Sequence, residues 1–164
     1  MKKIILFCLI LLSSASYAQV DSTLPPFKRF PNLPPIQLLL ADSTTKYTKK
    51  DIPKNKPVLL MLFSPDCSHC QHTAEEMVQR KDELKNITII MATLHSIKEM
   101  NAFVDKYGLN QIPNVTIGKD LYYIMPSFYA VKNFPYLAFY NKKGQLIMGY
   151  EGSMPLSKII NTFK

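Results

Sequence analysis

Cys67 and Cys70 stand three positions apart in Ser64-Pro65-Asp66-Cys67-Ser68-His69-Cys70, with a histidine pressed against the second cysteine. Two thiols at this spacing suit a metal clamp, a structural staple or a redox couple. The staple is weak, because a disulfide closing so short a loop removes little entropy from the unfolded chain. A metal site would draw on Cys67, His69, Cys70 and His72, soft or borderline ligands suited to copper or zinc. Structural zinc usually takes two separated ligand pairs, and the remaining histidine, His95, is isolated in the sequence. On one helix start only Cys67, Cys70 and one histidine can converge. A copper-binding protein or metallochaperone is therefore the alternative, and the redox couple the main expectation.

A redox couple needs one ionisable, reachable thiol and one shielded partner, and the flanking elements supply both. Val58 to Phe63 is apolar without alternation, as in a central strand covered on both faces. Residues 68–84 then show the apolar spacing and acid-first, base-last charge order of a helix. Cys67 falls at the cap or first residue of that helix, where unpaired backbone N–H groups favour its thiolate. Three residues on, the helix has turned almost once, so Cys70 stands beside Cys67 but deeper. Cys67 is thus the attacker and Cys70 the resolving thiol that closes the internal disulfide.

The neighbours pull in opposite directions. A partly protonated His69 beside the helix terminus favours negative charge on Cys67 and makes the couple more oxidising, and Ser68 adds a weak hydrogen bond in the same sense. Asp66 opposes the thiolate and partly cancels His69. Glu75 and Glu76 lie along the helix and read as exposed. The direction of electron flow stays open.

Around this unit the pattern continues. Residues 21–35 carry Pro25, Pro26, Pro31, Pro34 and Pro35, a density that predicts an extended lead-in without helix. Ile36 to Leu40 and Thr44 to Thr48 read as two short strands around Ala41-Asp42-Ser43. Ile87 to Ala92 is a second apolar run, and Ile97, Met100, Phe103 and Val104 form a helical stripe over residues 96–107 that Gly108 ends. Asn114 to Ile117 is a short strand. Residues 120–131 are ambiguous, with Pro126 able to begin a short helix. Tyr136 to Tyr140 and Gln145 to Tyr150 flank a hairpin turn, and residues 155–163 form a terminal amphipathic helix. The whole predicts an α/β fold, a central mixed sheet flanked by helices with an N-terminal β-hairpin extension. The cysteines fall at a strand-to-helix handover, where open sheets place their chemistry.

The first eighteen residues read as an address. Lys2 and Lys3 precede the apolar run Ile4 to Leu12, which ends in Ser-Ser-Ala-Ser-Tyr-Ala, the layout of a secretory signal cleaved after Ala18. The apolar run is far shorter than the roughly 20 residues of a spanning helix. Cleavage would discard Cys8 and leave 146 of the 164 residues, one domain able to bury its own core. The organisation expected is signal peptide 1–18, Pro-rich lead-in 19–35 and domain 36–164, in an extracytoplasmic compartment where disulfides persist. Setting aside Lys2 and Lys3 takes the formal net charge from +8 to +6. The lysines are dispersed and form no nucleic-acid motif, so they read as a solvated surface.

Phe63 to Cys70 after an apolar strand, Phe134-Pro135 before another and the ending Tyr150-Glu151-Gly152 resemble the thioredoxin fold. The Pro-Pro-Ile lead-in hairpin and the Tyr129 to Gly144 stretch most resemble extracytoplasmic thioredoxin-like proteins of the TlpA/ResA type. The resemblance implies a thiol–disulfide oxidoreductase acting on protein thiols or disulfides. It also implies a membrane or extracytoplasmic redox partner, and no bound cofactor beyond the Cys67–Cys70 disulfide. It further implies a cis Pro135 facing the cysteines and a Phe134 backbone that pairs with an extended substrate. The chain departs from the family in two places. Asp66 and no tryptophan precedes Cys67, and Met61 falls where cytoplasmic thioredoxins carry a buried acid that assists Cys70. A peroxidase reading would need an activating threonine and arginine, for which only Thr73 and Arg80 are near. The aromatic residues from Tyr122 to Tyr140 read mostly as core, those near Pro135 as candidates to line a substrate groove.

Overall fold

The computed structural model describes residues 23–164, so the expected signal segment lies outside the described residues. Seven strands form one sheet in the order β2-β1-β5-β4-β3-β6-β7. β1 (Gln37–Leu39) and β2 (Lys46–Thr48) make the N-terminal hairpin. β3 (Val58–Leu62), β4 (Thr88–Thr93) and β5 (Val115–Asp120) run parallel, and β6 (Tyr136–Tyr140) and β7 (Leu146–Glu151) close the other edge antiparallel. The helices are α1 (Pro26–Arg29), α2 (Ser68–Gln79), α3 (Ile97–Tyr107), α4 (Ile124–Tyr129) and α5 (Leu156–Asn161).

β3 is buried along its whole length because apolar layers cover both of its faces. Leu59 and Met61 point into a core shared with Cys70, Ala74 and Met77 of α2, Met100 and Phe103 of α3, and α5. Val58, Leu60 and Leu62 point into a second core with Met125 and Tyr129 of α4, against which Phe27 of α1 packs. Each fully buried Leu, Met or Phe contributes about 1.5–3 kcal/mol. An unbroken apolar run is what such a two-sided strand requires.

The lead-in is not free of helix, since Pro26–Arg29 forms one helical turn. Pro26 sits at its first position, where the ring presets φ and the missing N–H would have been unpaired anyway. The helix expected over 68–84 breaks at Arg80, whose guanidinium turns back to Glu83 at 2.6 and 2.9 Å, and Lys81–Leu84 continues as a 3-10 turn that buries Leu84. Thr44 and Thr45 belong to the turn rather than to β2, because the Asp42 carboxylate accepts both of their N–H groups. β5 runs on to Asp120, beyond the expected Ile117. The ambiguous stretch resolves into α4, with Pro126 inside the first turn and the buried Asp120 accepting the Met125 N–H at 2.9 Å. Ser96 caps α3 with Glu99 reaching back, and Gly108 ends that helix at φ 69°.

Candidate active site

Cys67 is the N-cap of α2. Its N–H is held by the Ser64 carbonyl at 3.1 Å, and its sulfur accepts the Cys70 N–H at 3.3 Å. An anionic or lone-pair acceptor at this place is what an uncapped helix start calls for. Cys67 is half-buried, whereas Cys70 is fully buried against the α2–β3 core, and both are free thiols. The expected asymmetry of one reachable and one shielded sulfur is therefore present. Burial pushes the Cys70 thiol well above its ordinary value, the hydrogen bond with Cys67 adds to the rise, and a main-chain hydrogen bond at Ser64 opposes it. The charge of Asp66 raises it further, as a smaller cause.

The second wall comes from 67 residues downstream, where the Cys67 thiol donates to the Phe134 carbonyl at 3.5 Å. The Phe134–Pro135 peptide is cis. Pro135 is buried and Phe134 half-buried, its side chain packed between the two cores. β6 lies antiparallel to β3 with Tyr136 opposite Leu62, so the residues just before β6 meet the residues just after β3. Cys67 and the Phe134 main chain are thus brought together, with the cis Phe134–Pro135 peptide between Phe134 and β6.

Ser68 and His69 are exposed on the first turn of α2, and the His69 carbonyl accepts the Thr73 hydroxyl at 2.9 Å. Asp66 is exposed, accepts a hydrogen bond from the Ser64 hydroxyl, and is held below the usual carboxylate range mainly by that bond. His95 corrects the expectation that it stands apart. Its Nε2 is 2.8 Å from Ser64 Oγ and 4.0 Å from Asp66 Oδ1, and its Nδ1 is 3.2 Å from Glu99 Oε1. The signal that could have found it was strand adjacency. β3 and β4 are parallel with Leu62 beside Ala92, so Ser64 and His95 leave the sheet as neighbours.

Among the described residues no group of three or more His, Cys, Asp or Glu side chains converges as a metal site. The copper or zinc alternative thus lacks a ligand set there, because Cys70 is buried while His69 and His72 face solvent. The peroxidase pair is also absent from the cysteines, with Arg80 engaged by Glu83 and Thr73 by the helix backbone. Most of the aromatic stretch is core, including the bonded pair Tyr129 and Tyr140 with hydroxyls 2.5 Å apart. Tyr122 and Tyr123 are exposed just after β5, at the same end of the parallel strands as the cysteines.

The fold is that of a thioredoxin-like protein. Residues 46–164 match the family described as thioredoxin-like domain, and the chain belongs to that family. Several solved structures share the fold at low identity. A secreted disulfide oxidoreductase of Mycobacterium tuberculosis, homologous to E. coli DsbE, superposes with a TM-score of 0.64 at 19% identity over 77% of this chain and 92% of that one. The exposed lipoprotein thioredoxin of Streptococcus pneumoniae gives 0.61 at 22% identity over 79% and 97% of the two chains. StoA of Bacillus subtilis gives 0.61 at 14% identity over 80% and 98%. No curated protein matches the sequence.

Proposed function

We propose that this protein is an extracytoplasmic thiol–disulfide oxidoreductase of the TlpA/ResA type, exchanging electrons with protein thiols and disulfides through Cys67 and Cys70. The observation that carries the reading is the placement of the two sulfurs, a half-exposed Cys67 at a helix cap facing the Phe134 carbonyl, with a fully buried Cys70 directly behind it. In the reducing direction the Cys67 thiolate attacks one sulfur of a substrate disulfide, the substrate S–S bond breaks, and the first thiolate leaves. Cys70 then loses its proton and attacks Cys67, forming the Cys67–Cys70 disulfide and releasing the second substrate thiolate. Two electrons pass to the substrate, each departing thiolate takes up a proton, and no cofactor is needed. The reverse sequence oxidises a dithiol.

Phe134 and Pro135 border the approach to Cys67, and the Phe134 main chain would pair with an extended polypeptide, the Pro135 carbonyl being held by the Gly152 N–H at 2.8 Å. Secretion with cleavage near Ala18 would place the protein where the couple can persist, and an extracytoplasmic or membrane partner would reset it. The secreted and surface-exposed relatives of the fold agree with that location.

Cys70→Ala in the full chain tests the mechanism. It traps mixed disulfides through Cys67 that disappear on reduction, whereas the Cys67→Ala, Cys70→Ala double variant traps none. No trapped species from either a model disulfide peptide or extracytoplasmic extract overturns the reading. Titration in glutathione redox buffers assigns the direction, with a potential near about −270 mV marking a reductase and one near about −120 mV an oxidase.

A further inference from the structure

The histidine that enters the site is the one that chain spacing sets apart from it. Ser64 Oγ contacts both the Asp66 carboxylate and His95 Nε2. A hydroxyl has one proton, and an ionised carboxylate only accepts, so the Ser64 proton goes to Asp66 and Nε2 donates to Ser64 Oγ. Glu99 is likewise an acceptor, since it also takes the Ser96 N–H at 2.9 Å and hydroxyl at 2.6 Å and is held down to about 2, chiefly by the Ser96 hydroxyl. The remaining contact, Nδ1 to Glu99 Oε1, is then a hydrogen bond only if Nδ1 also carries a proton. Every bond in the cluster is made when His95 is an imidazolium between two carboxylates.

The cluster reaches the cysteines through Ser64. Its carbonyl holds the Cys67 N–H, and a main-chain hydrogen bond at Ser64 acts on the Cys70 thiol. The titratable groups facing His95 are Glu99 on α3 and Asp66 from the turn after β3. Lys106 of α3 borders the same shallow groove as those two carboxylates, and Lys119 of β5 is paired with Thr93, two residues before His95. With His95 protonated, the two carboxylates and the ring leave one negative charge beside the cysteine pair, and loss of a ring proton leaves two.

We propose that His95 is a positioning residue for thiol–disulfide exchange, clamping the Asp66 carboxylate through Ser64 and balancing its charge so that ionisation of Cys67, and with it the redox poise, follows the protonation of His95. This rests on the oxidoreductase reading above. The sign is set by Coulomb's law, because more negative charge next to Cys67 disfavours its thiolate, and a less favoured thiolate destabilises the reduced form relative to the disulfide. Electrostatic control thereby lies on the β4–α3 junction, and not on His69 inside the motif.

The test follows thiolate absorbance at 240 nm against pH in the reduced protein, together with the equilibrium constant against glutathione. His95→Gln keeps a neutral hydrogen-bonding side chain and removes the charge. It is expected to lower the thiolate fraction at pH 7 by about fivefold, the size of one unit charge across a partly solvated gap, and to make the couple more reducing by a similar factor. Adding Asp66→Asn to His95→Gln restores both readouts, which a merely structural histidine would not allow. A thiolate fraction in His95→Gln within twofold of wild type, or a double variant that is not restored, overturns the proposal. In the wild type alone, the His95 ¹⁵N shifts and the thiolate absorbance are expected to change together as the pH is varied. Independent titrations overturn the proposal without any variant. Because the absorbance does not require turnover, absence of exchange with glutathione would sink the oxidoreductase reading while leaving the coupling of His95 to Cys67 measured.

Discussion

The Cys67 sulfur and the Phe134 carbonyl oxygen lie 3.5 Å apart although 67 residues separate them in the chain. The contact joins the head of α2 to the loop before β6, while Ser64, the hub of the Asp66–Ser64–His95 cluster, holds the Cys67 N–H with its carbonyl. A substrate sulfur entering there meets Cys67 before it can reach Cys70, which is fully buried.

Alkylation of the reduced protein should therefore be one-sided. Iodoacetamide at neutral pH modifies Cys67 and spares Cys70, because burial both hides the Cys70 thiol and raises it above its ordinary value near 9. Peptide mass mapping after brief labelling checks this, and equal labelling of the two would contradict the buried-partner geometry.

The same shift sets an alkaline limit to stability. A thiol raised in the folded state binds its proton more tightly there than in the unfolded chain, so its contribution is complete below about pH 9 and is lost as the pH rises above that value. Reduced wild type should lose melting temperature above pH 9 more steeply than reduced Cys70→Ala, although the variant starts lower for want of packing.

On the acid side the sign reverses. Glu99 is held at about 2 against an ordinary 4.5, first by the Ser96 hydroxyl, so its contribution is complete above about pH 4.5 and disappears as the pH falls towards 2. Glu99→Gln keeps the capping geometry but not this titration, and its melting temperature should fall less between pH 5 and 2.5 than that of wild type. Asp42, held down by Thr45 and Thr44, leaves a residual slope in both.

Gly118 of β5 tests the docking of the N-terminal hairpin. A Cβ there would lie 2.6 Å from the Leu38 Cβ and 3.0 Å from the Leu39 carbonyl oxygen, so strand β1 must move to admit it. Gly118→Ala should cost about 1–3 kcal/mol in urea unfolding, as overpacked sites do, while leaving Cys67 reactivity intact.

Phe103 tests the support under the cluster. It is 3% exposed, and its ring centroid is 4.8 Å from that of Phe63, the residue before Ser64. Phe103→Ala should lower stability by about 3–5 kcal/mol through the cavity it leaves. A loss below about 1 kcal/mol would mean that the helix α3 face repacks freely.

The chain carries its local structure openly. The unbroken apolar run at Val58–Leu62, the periodic stripe of α3 and the hairpin turn at Gly144 are each decided by neighbours a few residues away, and so is the unequal standing of Cys67 and Cys70 at a helix start. The one-turn helix at Pro26 and the early end of α2 at Arg80 escaped the pattern because the preset φ of proline and the Arg80–Glu83 pairing, not periodicity, set them. What could not be read along the chain is which residues stand together at the C-terminal end of β3 and β4. Phe134 reaches Cys67 because β6 runs antiparallel beside β3, and His95 reaches Ser64 because β4 runs parallel on its other side. Strand order and direction come from how the two apolar layers close over β3, a property of the whole packed chain that leaves no mark in the spacing of any single segment.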